Sequence, residues 1–191
     1  DGGMEYHTLT LAKELTQHDN QVTILTTGHG MSPCNESYGE IQVVHLEGSK
    51  PGAYSYSFFK LAQNYIDSHP EIDIIHSQGF AAMGLWKNIK QPLVTTIHGT
   101  LLSETPLHYQ VSMQNIWKYR KRIAVYPLYK NLLNKSKVLV VDSHFSRQLL
   151  IKEDPHLTHK TFPIHLGIDI DFYRPLDQED SRAKFNLDNK F

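Results

Sequence analysis

Short apolar runs alternate with segments of helical periodicity along nearly the whole chain. The runs predicted as strands are 21–27, 41–46, 72–76, 92–97, 138–142 and 161–166. Apolar side chains recur at helical spacing over residues 4–18, 54–68, 79–90, 112–134 and 146–152. This alternation, with connections long enough for crossovers, is typical of an α/β fold with a parallel sheet and helices on both faces. We expect residues 28–39, which are rich in Gly, Ser, Pro and Asn, to form a loop.

A pair of glycines, Gly2 and Gly3, stands directly ahead of the first predicted helix. Glycine lacks a Cβ, so it permits a sharp turn and a close approach of the backbone to a ligand. The N–H groups and the dipole of the helix start favour an anion such as a nucleotide phosphate, and an ordinary turn before a helix is the alternative. Because a glycine turn of this kind normally follows a strand, we expect a strand ahead of Asp1, in the middle of the sheet, and a sequence that is a fragment of a longer protein.

The composition of the chain excludes several classes of partner. Lys and Arg number 19 against 20 Asp and Glu, so no overall field points to nucleic acid. No apolar run approaches the ~18 residues that span a bilayer. The single cysteine, Cys34, cannot form an internal disulfide, which favours a reducing compartment. We therefore predict a cytoplasmic protein.

Polar residues follow several predicted strands at the point where each strand ends. His76 ends one strand, His98 follows the next, and Asp142 and Ser143 close a later one. Ligands of open parallel sheets bind beyond the carboxyl ends of the strands. The alternative for each residue is structural, since polar residues are common where strands open into loops: His98 as a strand cap, and Ser143 as the N-cap of the helix over 146–152.

The chain contains 12 histidines, which raises the question of a metal site. His156, His159 and His165 lie close together in the sequence. Their spacing fits no recognised ligand set, and no carboxylate or cysteine completes one. We therefore expect no metal.

A basic and aromatic stretch lies in the predicted helix over 112–134. Tryptophan and tyrosines are interleaved with its four basic side chains, which are Lys118, Arg120, Lys121 and Arg122. Such a stretch can lie on an anionic membrane surface, so peripheral membrane contact is one prediction. The alternative is a solvated helix face whose long basic side chains cover apolar surface.

Five short motifs follow one another in the order found in a known enzyme family. They are 2–5 with 11–15 and 22–26, then 73–79, 94–100, 141–146, and finally 166–169 with 172–175. Together they resemble the N-terminal, acceptor-side domain of family 4 glycosyltransferases, which are of the GT-B type. Each motif alone is short and degenerate. Their order makes the resemblance specific to the family but not to a substrate.

The resemblance implies a Rossmann-like domain that forms one half of a GT-B fold. Residues 1–166 would be this N-terminal domain, lacking its first strand. Residues 167–191 would be the linker and the lead-in to a C-terminal donor-binding domain that lies outside the sequence. Leu166 stands where an Asn is common in the family's linker, a change that a hinge tolerates.

The implied activity is transfer of a sugar from a nucleotide-sugar donor to an acceptor, with retention of configuration. The acceptor would be a sugar, a lipid-linked sugar or another glycoconjugate, and the enzyme would need no cofactor or metal. The resemblance places His98 at the reaction centre, where an imidazole can hydrogen-bond to developing charge. Binding of donor or acceptor would involve Gly2, Gly3, Glu5, His76, Gly99, Thr100 and Ser143. This domain alone is expected to be inactive.

Two other functions use the same scaffold. A nucleotide-sugar 2-epimerase would need no acceptor, and one fold hosts many reactions. A non-catalytic domain that binds nucleotide-sugar or carbohydrate is the second alternative. Product analysis separates the first from a transferase, and the reading frame on both sides of the sequence bears on the second.

Overall fold

The structure is a computed structural model that describes residues 2–28, 35–85, 89–99, 125–170, 173–185 and 187. Its strands are β1 (Thr23–Thr27), β2 (Asn35–Tyr38), β3 (Ile41–Leu46), β4 (Ile75–Gln78), β5 (Leu93–Ile97), β6 (Val138–Val141) and β7 (Thr161–Pro163). Its helices are α1 (Gly3–Gln17), α2 (Tyr56–Ser68), α3 (125–135 in the described chain), α4 (His144–Glu153) and α5 (Gln178–Lys184), with a 3-10 helix at Pro155–Lys160.

The strands form two sheets. β4, β5, β6 and β7 are neighbours in that order, and every pair is parallel. In the other sheet β3 lies between β1, which is parallel to it, and β2, which is antiparallel. The α/β fold with parallel strands is therefore confirmed. The strand expected ahead of Asp1 stays a prediction.

Strand β2 corrects the prediction that residues 28–39 form a loop. Its four residues, Asn35–Tyr38, pair with β3 through a tight turn in which Gly39 has φ +64°. A short polar segment has no apolar alternation, so the pattern that predicts strands is absent. Pairing with β3 supplies the backbone hydrogen bonds that its side chains do not predict.

Helices cover both faces of β3. Ile41 and Val43 pack with Ala12 of α1 on one face. Leu46 packs with Phe58 and Ala62 of α2 on the other. A strand that is apolar on both sides is typical of a sheet covered by helices on both faces, as the sequence predicts.

One face of the four-stranded sheet carries a second core. Ile97, Leu139 and Val141 are buried there with Tyr129 of α3 and Leu150 of α4. The end of α3 is held by an ammonium group outside the helix. Lys160 Nζ donates to the backbone oxygens of Leu133, Asn134 and Ser136 at 2.7, 3.0 and 2.9 Å. A cation at this position also complements the negative end of the helix dipole.

Residues 79–85 form successive turns, so the helix predicted over 79–90 is wrong in this part, and 86–88 lie outside the described residues. The backbone bonds span three residues, as in Met83 N–H to Phe80 O at 2.9 Å. The Ser77 hydroxyl accepts from Ala82 N–H at 2.9 Å and so replaces a helical carbonyl partner. Gly79 has φ +55°, a left-handed conformation that glycine adopts at low cost. Ala82 and Leu85 are buried, as their spacing predicts.

Several other boundaries differ from the sequence prediction. The strand expected over 72–76 is β4, Ile75–Gln78, and the strand expected over 161–166 ends at Pro163. Most of the predicted helix over 112–134 lies outside the described residues, as do Lys118, Arg120, Lys121 and Arg122. The division between 1–166 and 167–191 stays a prediction. Among the described residues, no helix combines the length and apolar character needed to cross a bilayer.

Candidate functional site

A row of polar side chains lies on one face of β4 and β5 and continues just past the end of β6. Successive residues of a strand point to opposite faces, and residues paired in register share a face. Register pairs His76 with Val94 and Gln78 with Thr96. It also pairs Thr96 with Val140. His76, Gln78, Thr96 and His98 therefore share this face, with Asp142 directly after β6. We call this set the polar row.

Two diagonal hydrogen bonds cross from β4 to β5 within the polar row. His76 Nε2 lies 2.7 Å from Thr96 Oγ1, and His98 Nε2 lies 3.0 Å from Gln78 Oε1. Each bond joins a β4 residue to the residue two places beyond its register partner on β5. The offset is the same in both because parallel strands repeat the same geometry every two residues.

Helix α1 places a third histidine against the polar row. The rings of His7 and His98 meet edge to face, with centroids 5.6 Å apart and planes 81° apart. His7 lies one helical turn after Gly3, so the start of α1 and the end of β5 come together. Three imidazoles, from α1, β4 and β5, thus share one side of the sheet.

The surroundings of these imidazoles favour their neutral forms. Burial lowers the pKa of His98, His7 lowers it further, and Asp142 opposes the shift. Although part of the His76 side chain is exposed, burial of the group lowers its pKa, and His7 and His98 add to the effect. Near pH 7 both imidazoles are therefore hydrogen-bonding groups rather than cations.

At the start of α1, Gly2 and Gly3 have different surroundings. Gly2 has φ −103° and ψ 174°, an extended conformation open to any residue. Its N–H donates to Glu5 Oε2 at 3.0 Å, and a Cβ at Gly2 would lie 2.7 Å from that oxygen. A Cβ at Gly3 would meet nothing within 4 Å. The close approach at Gly2 is thus to the chain's own carboxylate, and the open side of the helix start is at Gly3.

Ser143 caps helix α4. Its Oγ accepts from Ser146 N–H at 3.1 Å, which confirms the predicted N-cap. The carboxylate of Asp142 accepts from the hydroxyls of Ser143 and Ser146 at 3.2 and 2.5 Å. These bonds fix Asp142 at the end of the polar row. The role of Ser143 in binding donor or acceptor stays a prediction.

Comparison with known proteins decides the family of this chain. A family model described as Glycosyltransferase Family 4 matches residues 1–172. The chain belongs to glycosyltransferase family 4. No curated protein matches it significantly.

Solved structures show that family 4 membership and fold agree. A sucrose-phosphate synthase from Thermosynechococcus elongatus matches with a TM-score of 0.70 and 16% identity, over 99% of this chain and 48% of that chain. A second structure of that synthase matches with a TM-score of 0.54 and 13% identity, over 86% of each chain. This family 4 chain thus has the fold of one half of a GT-B enzyme and spans about half the length of the first of these chains.

The structure brings together some of the residues predicted for this family 4 site. His98 and His76 lie in one row, and the α1 start with Gly2, Gly3 and Glu5 belongs to the helix that carries His7. Gly99 follows His98 directly, and Thr100 lies outside the described residues. His156 and His159 lie in the 3-10 helix, whereas the Nδ1 of His165 contacts Asp142 O at 3.1 Å. Within the described ranges, no three His, Cys, Asp or Glu side chains are placed to share a metal ion.

Sequence reasoning misses two members of the site, His7 and Gln78. Asp142 is among the strand-end residues that the sequence indicates, although no role is assigned to it there. A signal for Gln78 was present, since it stands two residues after His76 and so shares its face of the strand. His7 carried no such signal, because its role depends on where α1 lies against β5.

Proposed function

We propose that this chain is the acceptor-side domain of a retaining glycosyltransferase. The enzyme would move a sugar from a nucleotide-sugar to a sugar, a lipid-linked sugar or another glycoconjugate. His98 would stand at the reaction centre. The observation that carries this proposal is the position of His98: it follows β5 at the carboxyl edge of the sheet, bonded to Gln78 and beside the start of α1.

The protonation state of His98 suits glycosyl transfer. As the bond to the leaving diphosphate breaks, positive charge develops on the sugar ring and negative charge on the leaving group. A neutral imidazole does not repel the developing positive charge, and it can hydrogen-bond to a donor-sugar hydroxyl. Burial lowers the pKa of His98, so the neutral form is favoured near pH 7.

The start of α1 would face the donor diphosphate. Amide groups and the helix dipole at this end attract phosphate. Because Glu5 already accepts from Gly2 N–H, the open approach to the helix is at Gly3. The Glu5 carboxylate opposes a phosphate at Gly2 itself, so the diphosphate would lie on the Gly3 side. A cytoplasmic location, with peripheral membrane contact through the basic stretch 118–122, belongs to the same proposal.

Replacement of His98 tests the proposed function. In the full-length enzyme with its donor and acceptor, His98→Ala should lower kcat by about 100-fold or more, as loss of a catalytic hydrogen-bonding group typically does. His156→Ala is the matched control, since His156 is exposed in the 3-10 helix and should leave kcat unchanged. Circular dichroism checks that both variants fold. A kcat for His98→Ala within about threefold of wild type would remove His98 from the mechanism.

Product analysis of the wild-type enzyme tests the reaction class. Transfer should yield a glycosylated acceptor with retained configuration and a free nucleoside diphosphate. Epimerised nucleotide-sugar formed without transfer would contradict the proposal in favour of the epimerase. Residues 1–191 alone should give neither product, because the family's donor nucleotide is held mostly by the C-terminal domain.

A further inference from the structure

We propose that Gln78 is the positioning residue for His98, holding the imidazole in the tautomer with hydrogen on Nε2 and the lone pair on Nδ1. This inference rests on the proposed function, since it concerns the same site. It adds a residue whose role is to orient the reaction-centre histidine. Gln78 itself would not contact the reacting atoms.

The geometry of β4 fixes the Gln78 side chain. Gln78 is the last residue of β4, and register pairs it with Thr96, whose side chain is only 2% exposed. The next amide, Gly79 N–H, donates to Thr96 O at 2.8 Å, so the backbone on both sides of Gln78 is anchored to β5. From this anchored position the amide oxygen lies 3.0 Å from His98 Nε2. That distance is typical of an N–H···O hydrogen bond.

The chemistry of this bond selects one tautomer. An amide oxygen only accepts, so the hydrogen between Gln78 Oε1 and His98 must be on Nε2. In a neutral imidazole the other nitrogen, Nδ1, then carries the lone pair. Only that tautomer can accept a hydrogen bond at Nδ1 from a substrate hydroxyl. The reverse tautomer would present a donor there.

The charged and titratable groups around His98 determine whether its ring is neutral or protonated. His7 faces it from α1, His76 lies beside it from β4, and Asp142 follows β6. Protonation of His98 would place a cation beside two other imidazoles, with Asp142 as the one opposing charge among these groups. Gln78 therefore orients a neutral ring by an uncharged acceptor, where a carboxylate would favour the imidazolium.

Nitrogen-15 NMR of the histidine rings tests the tautomer without any assay of activity. In this chain at neutral pH, His98 should show a protonated Nε2 and an unprotonated Nδ1. In Gln78→Met, which keeps the length of the side chain but lacks the amide oxygen, the signals should move toward a mixture of tautomers. A wild-type His98 with hydrogen on Nδ1 would overturn the proposal, whatever the result for the His98→Ala enzyme.

Kinetics of the full-length enzyme separate orientation from folding. Gln78→Met should lower kcat about tenfold, with KM for the acceptor unchanged, because one hydrogen bond corresponds to roughly that factor. Gln78→Glu keeps an acceptor at this position, so it should retain most of kcat at high pH. Its charge should raise the pKa of His98 and move the acid limb of the pH profile to higher pH.

Gln148→Met is the matched control, since Gln148 lies on the exposed side of α4. It should leave the kcat, the KM and the His98 ring signals unchanged. If Gln78→Met behaves like Gln148→Met in both NMR and kinetics, Gln78 does not position His98. If Gln78→Met does not fold, an unshifted acid limb in Gln78→Glu overturns the proposal instead.

Discussion

The two faces of the strands β4, β5 and β6 differ in what their polar side chains bond to. Both faces of β4 and β5 carry polar side chains. On the face toward α3, Thr95 Oγ1 lies 2.8 Å from Ser136 Oγ, and Ser136 donates to Leu132 O at 2.8 Å. On the other face, the polar row joins imidazoles to Thr96 and Gln78. The first set of bonds ties elements together, whereas the second orients titratable side chains.

The difference lies in what covers each face. The α3 face is closed by apolar side chains, and Thr95 is 0% exposed, so each polar group there must find a partner within the protein. The polar row meets α1 mainly through His7, and His76 and His98 keep part of their surface exposed. Alternation along three short strands therefore separates a structural face from a face that can meet a ligand.

The apolar core should show the largest effect on stability. Leu139 is 0% exposed and packs with Ile97 and Leu150 on the α3 face. Leu139→Ala should lower the free energy of unfolding by about 3 kcal/mol, through lost burial and a cavity. Urea unfolding followed by circular dichroism measures this. Val140→Ala is the comparison, since Val140 lies on the other face and is only partly buried. An equal loss in both variants would contradict the division between the faces.

Most of the fold could be predicted because apolar periodicity reports burial. Strand β3 was predicted with its observed bounds, since its side chains are apolar on both faces and its neighbours are turn residues. β2 was missed because a polar edge strand depends on its partner for hydrogen bonds. The 79–85 turns were missed because Ser77 competes with the helical bond pattern, which no periodicity shows.

The candidate site could be predicted only as far as strand ends allow. His98 and His76 were found because the carboxyl edge of a parallel sheet is where ligands bind. Gln78 and His7 depend on register and on the placement of α1, which are set by tertiary packing. For Ser143 the sequence offers both a ligand role and an N-cap; the structure confirms the N-cap of α4, and the ligand role stays a prediction.

Removing one hydroxyl from each face tests the same comparison, with a smaller expected change in the free energy of unfolding. Ser136 donates its hydroxyl hydrogen to Leu132 O, so Thr95 is the donor to Ser136. Thr95→Val should therefore cost about 1 kcal/mol of unfolding free energy, because Ser136 loses a buried partner. Thr96→Val should cost less, since water can reach the partly exposed His76. Only Thr96→Val should change the ring signals of His76 in nitrogen-15 NMR. The reverse order of stabilities would show that the polar row ties the fold together as firmly as the α3 face does.

The smallest effect should be a dependence of stability on pH that the polar row contributes. Burial, with help from neighbouring imidazoles, lowers the folded-state pKa of His76 and His98 below their ordinary value of 6.5. Between the lowered pKa values and 6.5, the unfolded chain binds more protons than the folded one, so the unfolding free energy rises with pH across this window. Above 6.5 this contribution is complete and flat.

Unfolding of wild type and of His76→Gln in urea, at several pH values between about 5 and 7.5, measures this slope above the range where carboxylates titrate. His76→Gln should be the less sensitive to acid, because it removes one group that folds in its neutral form. His159→Gln, an exposed histidine of the 3-10 helix, should keep the wild-type slope. A His76→Gln protein that loses more stability in acid than wild type would show that His76 is charged in the folded state.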